Sequence, residues 1–308
     1  MIKPPALHPG DTIGIVAPAS NIKLDLLEQG CQELQRLGFR TYFRPDIVSS
    51  FRYFAGPHDR RRDEFLEMLR SSDIHAIFCA RGGYGSGYLT SEIDPDMLRI
   101  HPKIINGTSD ITLLLSAVQR AGVVGFHGPM VATTIRQGID GYNRGILLDI
   151  LKGAPNVRFP MEGTKILQAG KAEGRLTGGC LSLVVATLGT AAEIDTTDSI
   201  LILEDIDAKP YQIDRMMTQL RQAGKLESVR GVVFGEMLNC MQHLNQGYTI
   251  EDVLTGLLDG YDIPILFGFP TGHTSKPNVM VPFGVRARLT LNETPVFELL
   301  ESAVISTS

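Results

Sequence analysis

Short, nearly continuous apolar runs alternate along the chain with stretches whose apolar residues recur at helical spacing. The run at residues 12–17, TIGIVA, predicts a strand covered on both faces, and Pro18 closes it. Leu24, Leu27, Cys31 and Leu34 then form a helical stripe that stops at Gly38, and residues 39–43 predict a second strand. A highly charged amphipathic segment occupies residues 59–70. Residues 74–80, IHAIFCA, predict a third strand, with His75 as a packed core residue, and this strand runs directly into the glycine-rich RGGYGSG of residues 81–87. Residues 103–118, KIINGTSDITLLLSAV, read as strand, abrupt turn and helix: Ile111, Leu114, Leu115 and Val118 repeat at i, i+3, i+4, i+7, with Gly122 as a stop. A strand at residues 123–126 continues the alternation. Such alternation predicts a doubly wound α/β domain whose sites lie at the carboxyl ends of strands, where residues 18–20, 81–87, 107–110 and 127–129 fall.

After a helix predicted over residues 142–152, the segment at 153–164, GAPNVRFPMEGT, loses periodicity and carries two prolines. The expected domains are therefore residues 1–152 and 165–308. The second half predicts short strands at 165–167 and 174–176, a glycine turn at Gly178 and Gly179, and a helix over 181–188. A buried strand at 199–203, SILIL, leads into EDIDAKPYQIDRMMTQLRQAG, where Pro210 suits a first helical turn and Ile213, Met216, Met217 and Leu220 supply an apolar face. Strands at 232–234 and 285–291 and a helix over 250–258 complete the pattern.

At 308 residues, 43% hydrophobic and 20% charged, the composition is that of a globular chain with room for two cores. A net charge of -5, with no basic stripe interleaved with aromatics, argues against nucleic-acid binding. No segment reaches the roughly 18 uninterrupted apolar residues of a membrane helix, and prolines and charges interrupt the first residues where a secretory leader needs an apolar region. A cytoplasmic protein with no membrane partner is expected. Cys31, Cys79, Cys180 and Cys240 show no CxxC spacing, so buried thiols are expected rather than disulfides or a zinc site.

Ser109 on the strand-to-helix turn has two readings. Its hydroxyl can cap the following helix, or it can attack from a turn whose helical N–H groups favour developing negative charge. The amides of RGGYGSG can hold an anion or an oxyanion, but the motif fits neither G-x-G-x-x-G nor a P-loop. His8, His58, His75, His101, His127, His243 and His273 are the available bases, and His127 in FHGP and His273 in FPTGHTSKPN occupy turn-like sequence after apolar strands. Glu204, directly after SILIL, can orient an imidazole; with Asp205 and Asp207 it can alternatively hold a divalent cation, or form a solvated acidic loop.

Together LHPGDTIGIVAPAS, AIFCARGGYGSG, INGTSDIT, FHGPM, LTGGCLSLVVATLGT, ILILEDIDAKPYQIDRMMTQL and GFPTGHTSKPNVMVPFG span nearly the whole chain, and in this order they resemble the LD-carboxypeptidase family of serine peptidases. The resemblance implies an N-terminal flavodoxin-like domain, a C-terminal swivelling β/α domain and an active site between them. By motif it implies Ser109 as nucleophile, Glu204 as acid and His273 as base, with an oxyanion hole from the backbone of Gly83, or of neighbouring Gly82, and of Asp110. It implies no cofactor and no metal, a murein tetrapeptide as substrate, and a homodimer. A branch of the family cleaves peptidyl or aminoacyl nucleotides in microcin C immunity, and a module that has lost catalysis is a third reading. Thr108 stands where the family usually has an aromatic residue, Tyr88 where Arg is frequent, and Cys180 where Asn is common.

Overall fold

The computed structural model describes residues 1–241 and 247–306; His243 lies outside the described residues. The first half supplies β1 (Thr12–Val16), α1 (Leu24–Arg36), β2 (Arg40–Tyr42), α2 (His58–Arg70), β3 (Ala76–Cys79), α3 (Pro95–Ile100), β4 (Ile104–Gly107), α4 (Thr112–Arg120), β5 (Gly125–His127) and α5 (Arg144–Lys152). β1, β3 and β4 are buried at essentially every position, as their uninterrupted apolar sequence requires of parallel strands covered on both faces. The five strands pair in parallel in the order β2-β1-β3-β4-β5, the flavodoxin-like arrangement. His75 lies just before β3, half-exposed, where its Nδ1 accepts the Thr12 N–H at 3.1 Å.

The second half supplies β6 (Lys165–Gln168), β7 (Gly170–Cys180), α6 (Leu181–Ala186), β8 (Ser199–Glu204), α7 (Pro210–Gln222), β9 (Gly231–Gly235), α8 (Ile250–Leu257), β10 (Ile265–Phe269), β11 (Val281–Phe283), β12 (Arg286–Leu291) and β13 (Val296–Leu299). Seven of these strands form a mixed sheet in the order β13-β12-β7-β8-β9-β10-β6, with β7, β8, β9 and β10 parallel. The eighth, β11, crosses to the first sheet and pairs antiparallel with β5, joining Val281 to His127. The chain is thus a two-domain α/β protein with parallel-rich sheets.

The glycine pair read from sequence as a turn is instead part of β7. Gly178 and Gly179 hold φ near +130°, which glycine adopts without cost, and each is pressed against a neighbour. A Cβ on Gly178 would sit 1.8 Å from the Ile202 carbonyl oxygen, and one on Gly179 would sit 2.5 Å from Thr112 of α4. The close approach matters because α4 binds the second sheet here: the Cys180 N–H donates to Thr112 Oγ1 at 3.1 Å, and Ser116 Oγ donates to the Ala192 carbonyl at 2.6 Å. One hydrophobic core runs through the first sheet and on to Leu176, Ile200, Ile202, Val233 and Leu266 of the second. A separate core packs α6, α7 and α8 on the other face of that second sheet.

Candidate active site

β4 ends at Gly107, Thr108 is extended, and Ser109 turns the chain with φ +62°, a left-handed conformation that costs a non-glycine residue about 1–3 kcal/mol. A single tight helical turn over Ser109–Ile111 then feeds α4. Ser109 is therefore not the cap of α4. The residue flanking that helix is Ile111, and no side chain caps it; among the described residues the Ser109 hydroxyl makes no hydrogen bond. Asp110 anchors the turn: its Oδ2 accepts the Ser86 N–H at 2.8 Å, and Ser86 Oγ donates to the Asp110 carbonyl at 2.6 Å.

The glycine loop after β3 lies against this serine. A Cβ on Gly82 would stand 2.8 Å from Ser109 Cβ and 3.0 Å from its Oγ, so only glycine allows the approach. Gly83 has φ +108°, and a Cβ there would strike Ser20 Oγ at 2.2 Å. The Gly83 and Asp110 N–H groups donate to no protein group among the described residues. Arg61 of α2, almost fully buried in a segment the sequence presents as highly charged and amphipathic, braces the loop by donating to the Gly85 and Pro18 carbonyls, both at 2.7 Å, with its guanidinium 4.6 Å from the Phe54 ring centre.

Across from this turn, Glu204 is the last residue of β8 and fully buried. Its Oε2 accepts two hydrogen bonds from His273, from the backbone N–H at 2.9 Å and from ring Nδ1 at 2.8 Å, which leaves Nε2 as the ring's proton acceptor. Gly272, at φ +71°, makes room, because a Cβ there would overlap the Glu204 carboxyl at 2.2 Å. Burial pushes the Glu204 carboxyl up, but the hydrogen bonds and charge of His273 outweigh it and hold its pKa below the ordinary 4.5. Burial likewise disfavours protonation of His273, yet the Glu204 carboxylate outweighs it and holds the imidazole above the ordinary 6.5.

His127, which the sequence offers as an alternative base on a turn, is the last residue of β5 and completely buried, with burial driving its pKa down to about 4. Its ring stacks on Phe283 of β11, and its Nε2 lies 3.2 Å from Thr108 Oγ1 and 3.8 Å from Glu204 Oε1. Thr108 is the residue beside Ser109, so Thr108, His127, Glu204 and His273 form a chain of contacts from the first sheet to the second. Glu204 and His273 meet directly; Ser109, Asp110 and the glycine loop meet directly; this buried chain links the two groups. The sequence did not reveal the Thr108–His127 contact, because it depends on β4 pairing beside β5 with Gly107 opposite His127.

The acidic-cation alternative at 204–207 is not assembled. Asp205 Oδ2 accepts the Ser182 N–H at 2.8 Å and its Oδ1 accepts the Ile206 N–H at 2.8 Å. Among the described residues, ligand-type atoms converge only at Cys180, Glu204 and His273, within 4.8 Å of one another. All four cysteines are buried free thiols.

Two family models match this chain: the LD-carboxypeptidase N-terminal domain over residues 13–128 and the LD-carboxypeptidase C-terminal domain over residues 173–289. A probable murein peptide carboxypeptidase of Bacillus subtilis is 39% identical over 96% of this chain and 94% of its own. A microcin self-immunity protein of Escherichia coli is 29% identical over 90% of each chain. The crystal structure of an MccF-like protein from Bacillus anthracis shares the fold with a TM-score of 0.88 at 24% identity, covering 98% of this chain and 100% of its own. The chain belongs to the LD-carboxypeptidase family, a family of hydrolases that act as peptidases.

Proposed function

We propose that this chain is a serine carboxypeptidase that hydrolyses the bond between the L-centre of a diamino acid and the terminal D-alanine of a murein tetrapeptide. The observation that carries the reading is the double hydrogen bond by which buried Glu204 fixes His273, with the Ser109 hydroxyl, which makes no hydrogen bond among the described residues, held on a strained turn against the glycine loop. His273 Nε2 takes the Ser109 proton as the hydroxyl attacks the scissile carbonyl carbon. The imidazolium formed is stabilised by Glu204 and returns its proton to the departing D-alanine amine. Water then releases the acyl group by the same route. The Gly83 and Asp110 N–H groups receive the oxyanion, and each such donor is worth about 3 kcal/mol in the transition state.

A second reading, cleavage of a peptidyl or aminoacyl nucleotide by the same three residues, is favoured by the similarity to the microcin self-immunity protein. Incubation of the purified protein with murein tetrapeptide and with an aminoacyl sulfamoyl adenylate separates the two. Release of D-alanine supports the first, release of the sulfamoyl nucleoside the second, and cleavage of neither leaves a non-catalytic binding module. Loss of hydrolysis in Ser109→Ala ties the reaction to that serine. The protein is expected to act in the cytoplasm as a homodimer; among the described residues no helix is long and apolar enough to cross a membrane.

A further inference from the structure

A cavity of about 400 Å³ opens beside the glycine loop, lined by Lys23, Arg81, Arg136, Thr133 and Gln137 among others. No carboxylate lines it, and among the described residues none of its three cations forms an ion pair. The two guanidiniums have only long contacts, Arg81 Nη1 to the Asn21 carbonyl at 3.4 Å and Arg136 Nη1 to Gln29 Oε1 at 3.5 Å. The Nε atoms of both are buried with no partner. Such donors carry a desolvation cost that only an acceptor can offset.

The same cavity receives the start of α1. Lys23 flanks that 13-residue helix with no side-chain cap, and the N–H groups of Leu24, Asp25 and Leu26 donate to no protein group among the described residues. Asp25 lies in this first turn but does not line the cavity. An uncapped helix start and three unpaired cations all favour one kind of guest, an anion. Arg81 immediately precedes Gly82, on which a Cβ would stand 2.8 Å from Ser109 Cβ, so one wall of the cavity begins one residue from the contact with the serine.

We propose that this cavity is the recognition site for the free C-terminal carboxylate of the substrate, with Arg81 and Arg136 as its planar, charge-assisted donors. The proposal rests on the carboxypeptidase reading. It accounts for how an exopeptidase would select a chain end: the carboxylate lies one residue beyond the scissile carbonyl, and a guanidinium fork matches its two oxygens. Lys23 and the start of α1 add positive potential without fixing geometry.

The test measures kcat and KM for wild type and Arg136→Ala with the murein tetrapeptide and with the same peptide amidated at its C-terminus. For the acid, KM is expected to rise about 10-fold or more with kcat within about twofold, and Arg136→Lys to recover part of it; the amide should bind poorly in wild type and be indifferent to the substitution. An equal effect on both peptides, or none on either, overturns the site. A rise in KM confined to an aminoacyl sulfamoyl adenylate would also overturn it. Calorimetry with Ser109→Ala separates the site from the reaction. If wild type cleaves neither peptide but Ser109→Ala binds the acid at least about 10-fold more tightly than the amide, and Arg136→Ala abolishes that preference, the carboxypeptidase reading fails and the site stands.

Discussion

The two halves of the candidate active site are held in place by different physics. The serine side is a backbone device: left-handed Ser109, the Asp110 carboxylate tied to Ser86, and a glycine loop close enough that a single methyl group would collide with the serine side chain. The histidine side is an electrostatic device: a fully buried carboxylate holds an imidazole by two hydrogen bonds and each shifts the other's proton affinity. Strain positions the first half and charge positions the second. The first should therefore be sensitive to volume and the second to pH.

Removing either of the groups proposed to react should have the largest effect and treat both halves alike. Ser109→Ala and His273→Gln should each lower kcat/KM for the tetrapeptide about 10⁴-fold or more, and the double variant should lose little beyond either single one. Additive losses in steady-state kinetics would show that the two sides do not act as a unit.

Glu204→Gln should cost about 10²- to 10⁴-fold in kcat and, unlike the first pair, should move the pH profile. A general base works when neutral, so if His273 has the proposed role activity should fall as pH drops through its pKa, which is raised from the ordinary 6.5. Without the carboxylate, burial is opposed only by the weaker influence of Asp205 and Asp207, so the acid limb of kcat/KM should move to lower pH. An unmoved limb would break the electrostatic account of this half.

Gly82→Ala should act through volume. Gly82 does not need a left-handed backbone, yet the added methyl meets Ser109 Cβ at 2.8 Å and the Asp110 nitrogen at 3.2 Å. A kcat loss of about 10- to 100-fold with an unchanged pH profile is expected, in keeping with the cost of a misplaced reacting atom. The smallest effect on rate should come from Thr108→Val, which strips His127 Nε2 of its hydrogen bond in a fully buried setting. Urea denaturation should show a loss of about 1–3 kcal/mol, with kcat/KM within about threefold. A large loss of activity at constant stability would instead make the Thr108–His127 contact part of the reaction.

Much of this was legible in the chain. The apolar runs locate β1, β3, β4, β8 and β9 within two or three residues, because a strand covered on both faces must be apolar throughout. The positions of Ser109, Glu204 and the loop of His273 at strand ends follow from the same runs. The sequence could not show that Ser109 lies ahead of the helix rather than capping it, since both arrangements use serine at that spacing. Nor could it show Arg61 buried under the glycine loop, because a charged helix reads as solvated until its carbonyl partners are in place.

By itself, then, the sequence determined the local elements and the candidate residues, through periodicity, strand-end position and glycine placement. Tertiary structure decided which of those residues meet. Glu204 and His273 are 69 positions apart and come together only because β8 and the segment after β10 end side by side across β9. His127 became a buried neighbour of Glu204 rather than an exposed base because β11 leaves its own sheet to pair with β5. Contacts of that kind depend on strand order and crossover, and a linear pattern of apolar and polar residues does not encode them.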